Sequence, residues 1–513
     1  MNFKRKLWWA QHRVDVYRYS TFILLFLVVT ISIIYFTYSK FNTSNEMTMY
    51  ETTVEPFIKN DYFIASYIDG EWSNEIPGKN DGYIVDKVVC DNGATGTWNY
   101  SKWSIEIENA TKKIKCGVYF VTGSLIDVEL YQGLIPVTYN SSGDVVVADT
   151  NTKWYDYSNH EWANAVLVNC ADSAIKSKYF NDDMSLKSSI VGQIISMDEI
   201  LQMYVYIPRY KYKLFNANNG TNVEKAIDIQ FEKVGTEKSN GTKNGEWLTH
   251  PAFTFGNTEL PGIWVGKFET SNSSNLPKIV PNVSSLRNIN VSNQFSISKL
   301  ISTSLIDTYG TSVNDDSHMM KNMEWGAVAY LTNSVYGRFS DSSTCVESGC
   351  EVWINNNSHY ITGCAGVSVS ASKSADCNEW NTSIGVNAST TGNIYGIYDM
   401  SGGAWEYVMS NYNGVISSSG FTALPDSKYY DKYDGSNFNM YHLGDATREV
   451  LKATSESKSI WYGDQNFILN STYPWGQRGS TYPDEVLAGI FTFGTDSGGA
   501  NGYSSFRIVI TAS

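Results

Sequence analysis

Residues 391–409 read TGNIYGIYDMSGGAWEYVM, a run that sets tyrosines, a tryptophan, an aspartate and a glutamate among four glycines. Glycine reaches positive φ without a steric penalty, so Gly396 and the Gly402-Gly403 pair predict a chain that doubles back tightly. Tyr395, Ile397, Met400 and Trp405 then turn inward as core.

The surrounding chain can supply the rest of that core. It has 513 residues, 42% of them hydrophobic and 18% charged, which suits a globular protein of two or three folded units. The formal net charge of -14 disfavours a nucleic-acid partner, because phosphate binding needs clustered Lys and Arg.

Toward the N-terminus, residues 19–39 (YSTFILLFLVVTISIIYFTYS) carry no charge and are long enough to cross a bilayer core of about 30 Å. Lys4, Arg5, Lys6, Arg13 and Arg18 precede the run and only Lys40 follows it closely. That asymmetry predicts a single-pass anchor with the basic segment 1–18 in the cytoplasm and the remainder outside the cell. A cleaved signal peptide would have a shorter apolar core and a small-x-small site, which FTYSKFNTS does not offer. Residues 40–60 read as a polar stalk.

All seven cysteines lie beyond the anchor, without C-x-x-C or Cys/His metal spacing, so disulfides are expected. Cys90 and Cys116 bracket one loop, and a bridge there contributes about 3 kcal/mol on the loop-entropy model. Cys345, Cys350, Cys364 and Cys377 allow three pairings, of which 345–350 with 364–377 is the most local. Cys170 is left as a buried free thiol.

Between Asp61 and Phe120, the runs YFIASYI, GYIVDKVVC, KWSIEIE and KCGVYFV alternate apolar and polar residues between Asn, Gly and Ser, predicting a small antiparallel β module over 61–125. From 126 to 513 short strands and long loops prevail. One helix is predicted from Asn322 to about Asn333, capped by Asn322, and MDEILQMYVYI is a weaker second candidate. The fold class is α+β.

With these elements in place, NIYGIYDMSGGAWEYV (393–408) resembles the N-x-YGLYDM-x-GNVWEW signature of the formylglycine-generating-enzyme, or sulfatase-modifying-factor, superfamily. Four further stretches follow that family's order: MEWGAVAYL (323–331), YPWGQ (473–477), RGS (478–480) and SFRIVI (505–510). The resemblance covers about Leu130 to Ser513 and implies a variant of the C-type-lectin fold. It also implies a structural calcium held by carbonyls and a glutamate, here Gly403, Ala404 and Glu406, although Gly403 replaces the family's asparagine and removes one oxygen.

The family's oxidising members use a cysteine pair between R-G-G-S and G-F-R. Arg478 to Arg507 contains no cysteine, and the six histidines do not cluster as the iron-dependent relatives require. The resemblance therefore implies a non-catalytic bacterial surface protein, with a lectin-like domain that binds an extracellular protein or glycan. Diversity-generating retroelements use this fold for recognition proteins with a variable C-terminal face, which places the expected binding residues at Tyr482, Asp484, Phe493, Asp496 and Tyr503. An enzyme with non-standard chemistry and a structural role in a pilus-like assembly are the alternatives.

Overall fold

The computed structural model describes residues 20, 21, 23–28 and 30; 62–122 apart from 69–70, 74–75, 78–82, 92, 100–102 and 109–113; then 126 and 128–512 apart from 217–222, 435–441 and 453–459. They divide into two compact units, one within Met1–Ser124 and one within Leu125–Ser513. Ser20, Thr21, residues 23–28 and Thr30 are helical, and Ile23 to Val28 are exposed. No helix among the described residues is long and apolar enough to cross a membrane. The rest of the expected anchor, the basic segment 1–18 and the stalk 40–60 lie outside the described residues.

In the first unit, strands Tyr62–Ile68, Glu71–Ser73, Tyr83–Cys90 and Ile114–Thr122 form one sheet. It is mixed rather than wholly antiparallel: Tyr62–Ile68 runs parallel to Ile114–Thr122, a pairing that the long intervening connection permits. The alternation in Ile114–Thr122 carries through to packing, since Ile114, Cys116, Val118 and Phe120 are buried and Lys115 is exposed. Trp98 and Ile105, from the Thr95–Asn99 and Ser104–Glu108 hairpin, complete this core. Cys90 and Cys116 face each other in register and are disulfide-bonded.

The second unit is strand-rich with few helices. Its largest sheet has seven antiparallel strands, in the order Asp315–Met319, Ile508–Ala512, Gly262–Gly266, Ile200–Pro208, Asn164–Val168, Ile135–Tyr139 and Val145–Val147. The C-terminal strand thus lies inside the sheet. Ile200–Pro208 is buried along its whole length, which corrects the helical reading of MDEILQMYVYI: a strand covered on both faces carries a continuous apolar run and loses its alternation. A second sheet runs Asp431–Tyr433, Trp405–Tyr412, Trp475–Gly479 and Gly489–Asp496, with Ser504–Phe506 also pairing to Trp405–Tyr412.

The expected helix is present at Asn322–Thr332, and every residue in it is buried. Its start differs in detail. Lys321 is the residue before the first turn, its backbone N–H donates to Glu324 Oε2 at 2.7 Å, and Asn322 spends its amide on the Tyr433 hydroxyl. Cys345–Cys350 and Cys364–Cys377 are the bridges of the large unit. Cys170 is free and buried, and burial pushes its thiol up to about 11.

Candidate functional site

The 393–408 segment joins the two sheets. Gly402 and Gly403 have φ of 76° and 69°, as the doubled glycine requires. Gly396 needs its missing side chain for a different reason: it is not at positive φ, but a Cβ there would stand 2.6 Å from Thr391 Oγ1. Ile397 and Met400 are core, whereas Tyr395 and Trp405 are only half-buried. Tyr395 hydrogen-bonds Thr138 across 2.9 Å, and the Trp405 ring roofs Gly494.

Beneath this loop lie four charged groups without solvent contact: Glu269, Asp399, Glu406 and Arg507. Arg507 Nε donates to Glu406 Oε2 at 3.0 Å and its Nη2 to Glu406 Oε1. The same guanidinium donates to the carbonyls of Gly266 (2.7 Å) and Tyr398 (3.0 Å), tying the terminal strand to the loop. Asp399 accepts from Asn355 Nδ2 at 2.8 Å and from Gly363 N at 2.9 Å. Glu269 Oε1 accepts from Ala404 N at 2.8 Å, and Oε2 contacts Ser285 Oγ.

Three carboxyls share this cluster with one cation. Burial pushes Glu406 up to about 7 against the pull of Arg507. Burial, then Asp399 and Glu406, push Glu269 well above the ordinary carboxyl range. Ser285 Oγ bonds both Glu269 Oε2 and, at 3.0 Å, the Tyr360 carbonyl, which links the buried cluster to the Tyr360 turn.

This arrangement does not fit the calcium expected at Gly403, Ala404 and Glu406. Both Glu406 oxygens are engaged by Arg507, the Gly403 carbonyl accepts from Tyr482 N at 3.0 Å, and the guanidinium would repel a cation. Glu269 Oε1 also lies 2.5 Å from where a Gly403 Cβ would stand, so an asparagine side chain has no room. Among the described residues no group of three or more His, Cys, Asp and Glu could hold a metal ion.

The five expected binding residues separate into three kinds. Phe493 is corrected to core: it is fully buried in Gly489–Asp496 and packs with Tyr433 and Leu469, under the Arg478 guanidinium at 5.3 Å. Asp484 and Asp496 are half-buried and stabilise their own loops. Asp484 Oδ2 accepts from Ser480 Oγ (2.6 Å) and Thr481 N (3.1 Å), and Asp496 Oδ1 from the Tyr407 hydroxyl (2.5 Å) and Gly498 N (3.0 Å).

Tyr482 and Tyr503 do lie toward solvent, and two residues that the sequence did not single out link them. The half-buried Tyr482 ring meets Tyr360 edge-on at 4.9 Å, and the Arg287 guanidinium covers the Tyr360 ring at 3.8 Å. Arg287 Nη1 also donates to the Gly502 carbonyl, next to the exposed Tyr503. Tyr360 holds φ of 56°, a conformation that a bulky residue rarely adopts, and Arg287 Nε is buried without a hydrogen-bond partner among the described residues. Arg287 and Tyr360 come from segments with no motif, so only the fold brings them to Tyr482.

A separate buried triad borders the start of the Asn322–Thr332 helix. His318 Nδ1 lies 3.0 Å from Asp316 and Nε2 2.9 Å from Glu324, while Lys299 and the Tyr429 hydroxyl also bond Asp316. Despite opposing burial, Glu324 and Asp316 raise the His318 pKa, and Asp316 is held well below the usual carboxylate range by His318 and Lys299.

No family model and no curated protein matches the chain. Among solved structures it is similar to PvdO from Pseudomonas aeruginosa, at 10% identity over 60% of this chain and 94% of that one, with a TM-score of 0.26. Treponema denticola variable protein 1 is similar at 10% identity over 61% of this chain and 97% of that one, with a TM-score of 0.25. Likeness at that level carries no argument about fold family or activity.

Proposed function

We propose that the unit within Leu125–Ser513 is a non-catalytic recognition module of the formylglycine-generating-enzyme, C-type-lectin-like kind, held at a bacterial cell surface by residues 19–39. The observation that carries the reading is the Arg287–Tyr360–Tyr482 stack. It presents two half-buried rings and a guanidinium, groups that dominate binding hot spots, from three segments distant in sequence. Rings held by neighbours lose little freedom on binding, and the strained Tyr360 backbone is a cost the scaffold sustains at this position. The ordered motifs from Met323 to Ile510 support the family assignment. The absence of cysteine between Arg478 and Arg507, with Cys364 and Cys377 bonded to each other, supports a module without thiolate chemistry.

The test displays the full chain on bacterial cells and probes the cells with arrays of glycans and extracellular-matrix proteins. At least one probe should be retained by the natural chain and lost by the Arg287→Ala/Tyr360→Ala/Tyr482→Ala variant. Retention of every probe by the variant, or of none by the natural chain, contradicts the reading. Protease added to the same cells should remove the chain beyond Thr43; full protection reverses the proposed orientation.

A further inference from the structure

The open face extends past the Arg287–Tyr360–Tyr482 stack into the loop that carries Tyr482. Pro483 is exposed beside that ring, and Val486 and Leu487 follow at 56% and 42% exposure. The 365–372 loop borders this one: Ser372 Oγ donates to Glu485 Oε1 at 2.8 Å, and Ala371, Ala488 and Ile354 share a small buried cluster. That second loop adds Val367, which is 68% exposed. Single exposed aliphatic residues are ordinary on a protein surface. Several on two neighbouring loops, next to two half-buried rings, form an apolar patch of the kind that marks a protein interaction site.

The polar groups decide between a sugar and a protein. A sugar binds through hydroxyls, which need free acceptors. Here Asp484 Oδ2 is engaged by Ser480 and Thr481, and Glu485 Oε1 by Ser372. Branched aliphatic side chains offer a hydroxyl no partner. Tyrosine rings and a guanidinium as anchors, with aliphatic contacts around them to exclude water, are instead the make-up of a protein interface.

Arg287 adds a charge requirement. Its Nη1 donates to the Gly502 carbonyl, and no carboxylate among the described residues lies within ion-pair distance of the guanidinium. In a chain of formal net charge -14, this face therefore holds a cation without a counter-charge, and a carboxylate is its complement.

We infer that the ligand of this face is a protein segment that sets an aspartate or glutamate on Arg287 and apolar side chains against Val367, Val486 and Leu487. The inference rests on the recognition reading above and narrows its ligand to a protein.

Cells displaying the full chain are panned with phage carrying random dodecapeptides, after depletion on cells without the chain, and the same cells are probed with the glycan array. Selected peptides should carry Asp or Glu close to Leu, Ile, Val or Phe. Binding of a synthetic selected peptide should weaken about tenfold with Arg287→Gln and about tenfold with Val486→Ser/Leu487→Ser. The exposed pair carries the test should Arg287→Gln lower the unfolding midpoint. Replacing the acidic residue of the peptide by its amide should cost about tenfold against the natural chain and less than about twofold against Arg287→Gln. Selection of no peptide, or of peptides indifferent to either folded variant, overturns the inference. A glycan bound through Tyr482 and untouched by Val486→Ser/Leu487→Ser overturns it too, and leaves the recognition face standing. Ligands that Tyr482→Ala does not weaken contradict the face itself.

Discussion

The backbone of Gly403 separates two regions that use the same residue types in opposite ways. On one side, Glu269, Asp399, Glu406 and Arg507 are fully buried and spend their polar atoms on each other and on nearby backbone. On the other, Tyr482 donates its backbone N–H to the Gly403 carbonyl, and its ring, with Tyr360 and Arg287, is left half in solvent. A motif that looks chemical in sequence is here a scaffold joint, and the groups available to a ligand lie in the loops above it.

The largest effect should come from breaking the joint. Arg507→Met leaves three buried carboxyls without their cation and should cost about 3–5 kcal/mol, read as a fall in the denaturant midpoint of the large unit. A change under about 0.5 kcal/mol would show that the cluster is held by something other than this pair. Next comes the hinge between the regions. Gly403→Ala places a Cβ 2.5 Å from Glu269 Oε1 at φ of 69° and should cost roughly 1–3 kcal/mol. Gly414→Ala is the control: at φ of 78° with open space around it, it should lose only the conformational part, about 1 kcal/mol. Equal losses at the two positions would remove the close approach of Glu269 from the account.

How much of this was readable from sequence follows from the range of each interaction. The doubled glycine and the 322–332 helix are local, and both were legible, although the helix is capped by Glu324 rather than Asn322. The Glu406–Arg507 pair joins residues separated by 101 positions, and Glu269 belongs to no motif, so the closed cluster around Glu406 is not legible in the sequence. Phe493 is core although its sequence context does not show it, because a C-terminal aromatic reads alike whether its strand is interior or edge. Ile200–Pro208 looks helical in sequence because a strand covered on both faces shows no alternation.

A smaller effect comes from pH and belongs to the His318 triad. Its raised pKa means that the folded state binds the proton more tightly than the unfolded chain. This stabilisation is fully present below the unfolded value near 6.5 and is lost as pH rises through the folded value. Asp316 has the opposite sign, contributing above the ordinary carboxylate pKa near 3.9 and losing its contribution as pH falls. The difference in unfolding free energy between the natural chain and His318→Gln should therefore be greatest between these limits and shrink on the alkaline side; a difference that grows above pH 8 would contradict the charged-imidazole assignment.

The smallest stability effect, with the largest functional one, is expected at the open face. Tyr482→Ala removes one edge-on contact at a half-buried position and should change stability by no more than about 1 kcal/mol. Its retention on the probe arrays, measured beside the natural chain at matched surface density, tests the central claim most directly. A probe bound by the natural chain and lost by this folded variant is the predicted result; undiminished binding by the variant would place recognition elsewhere on the molecule and contradict the account.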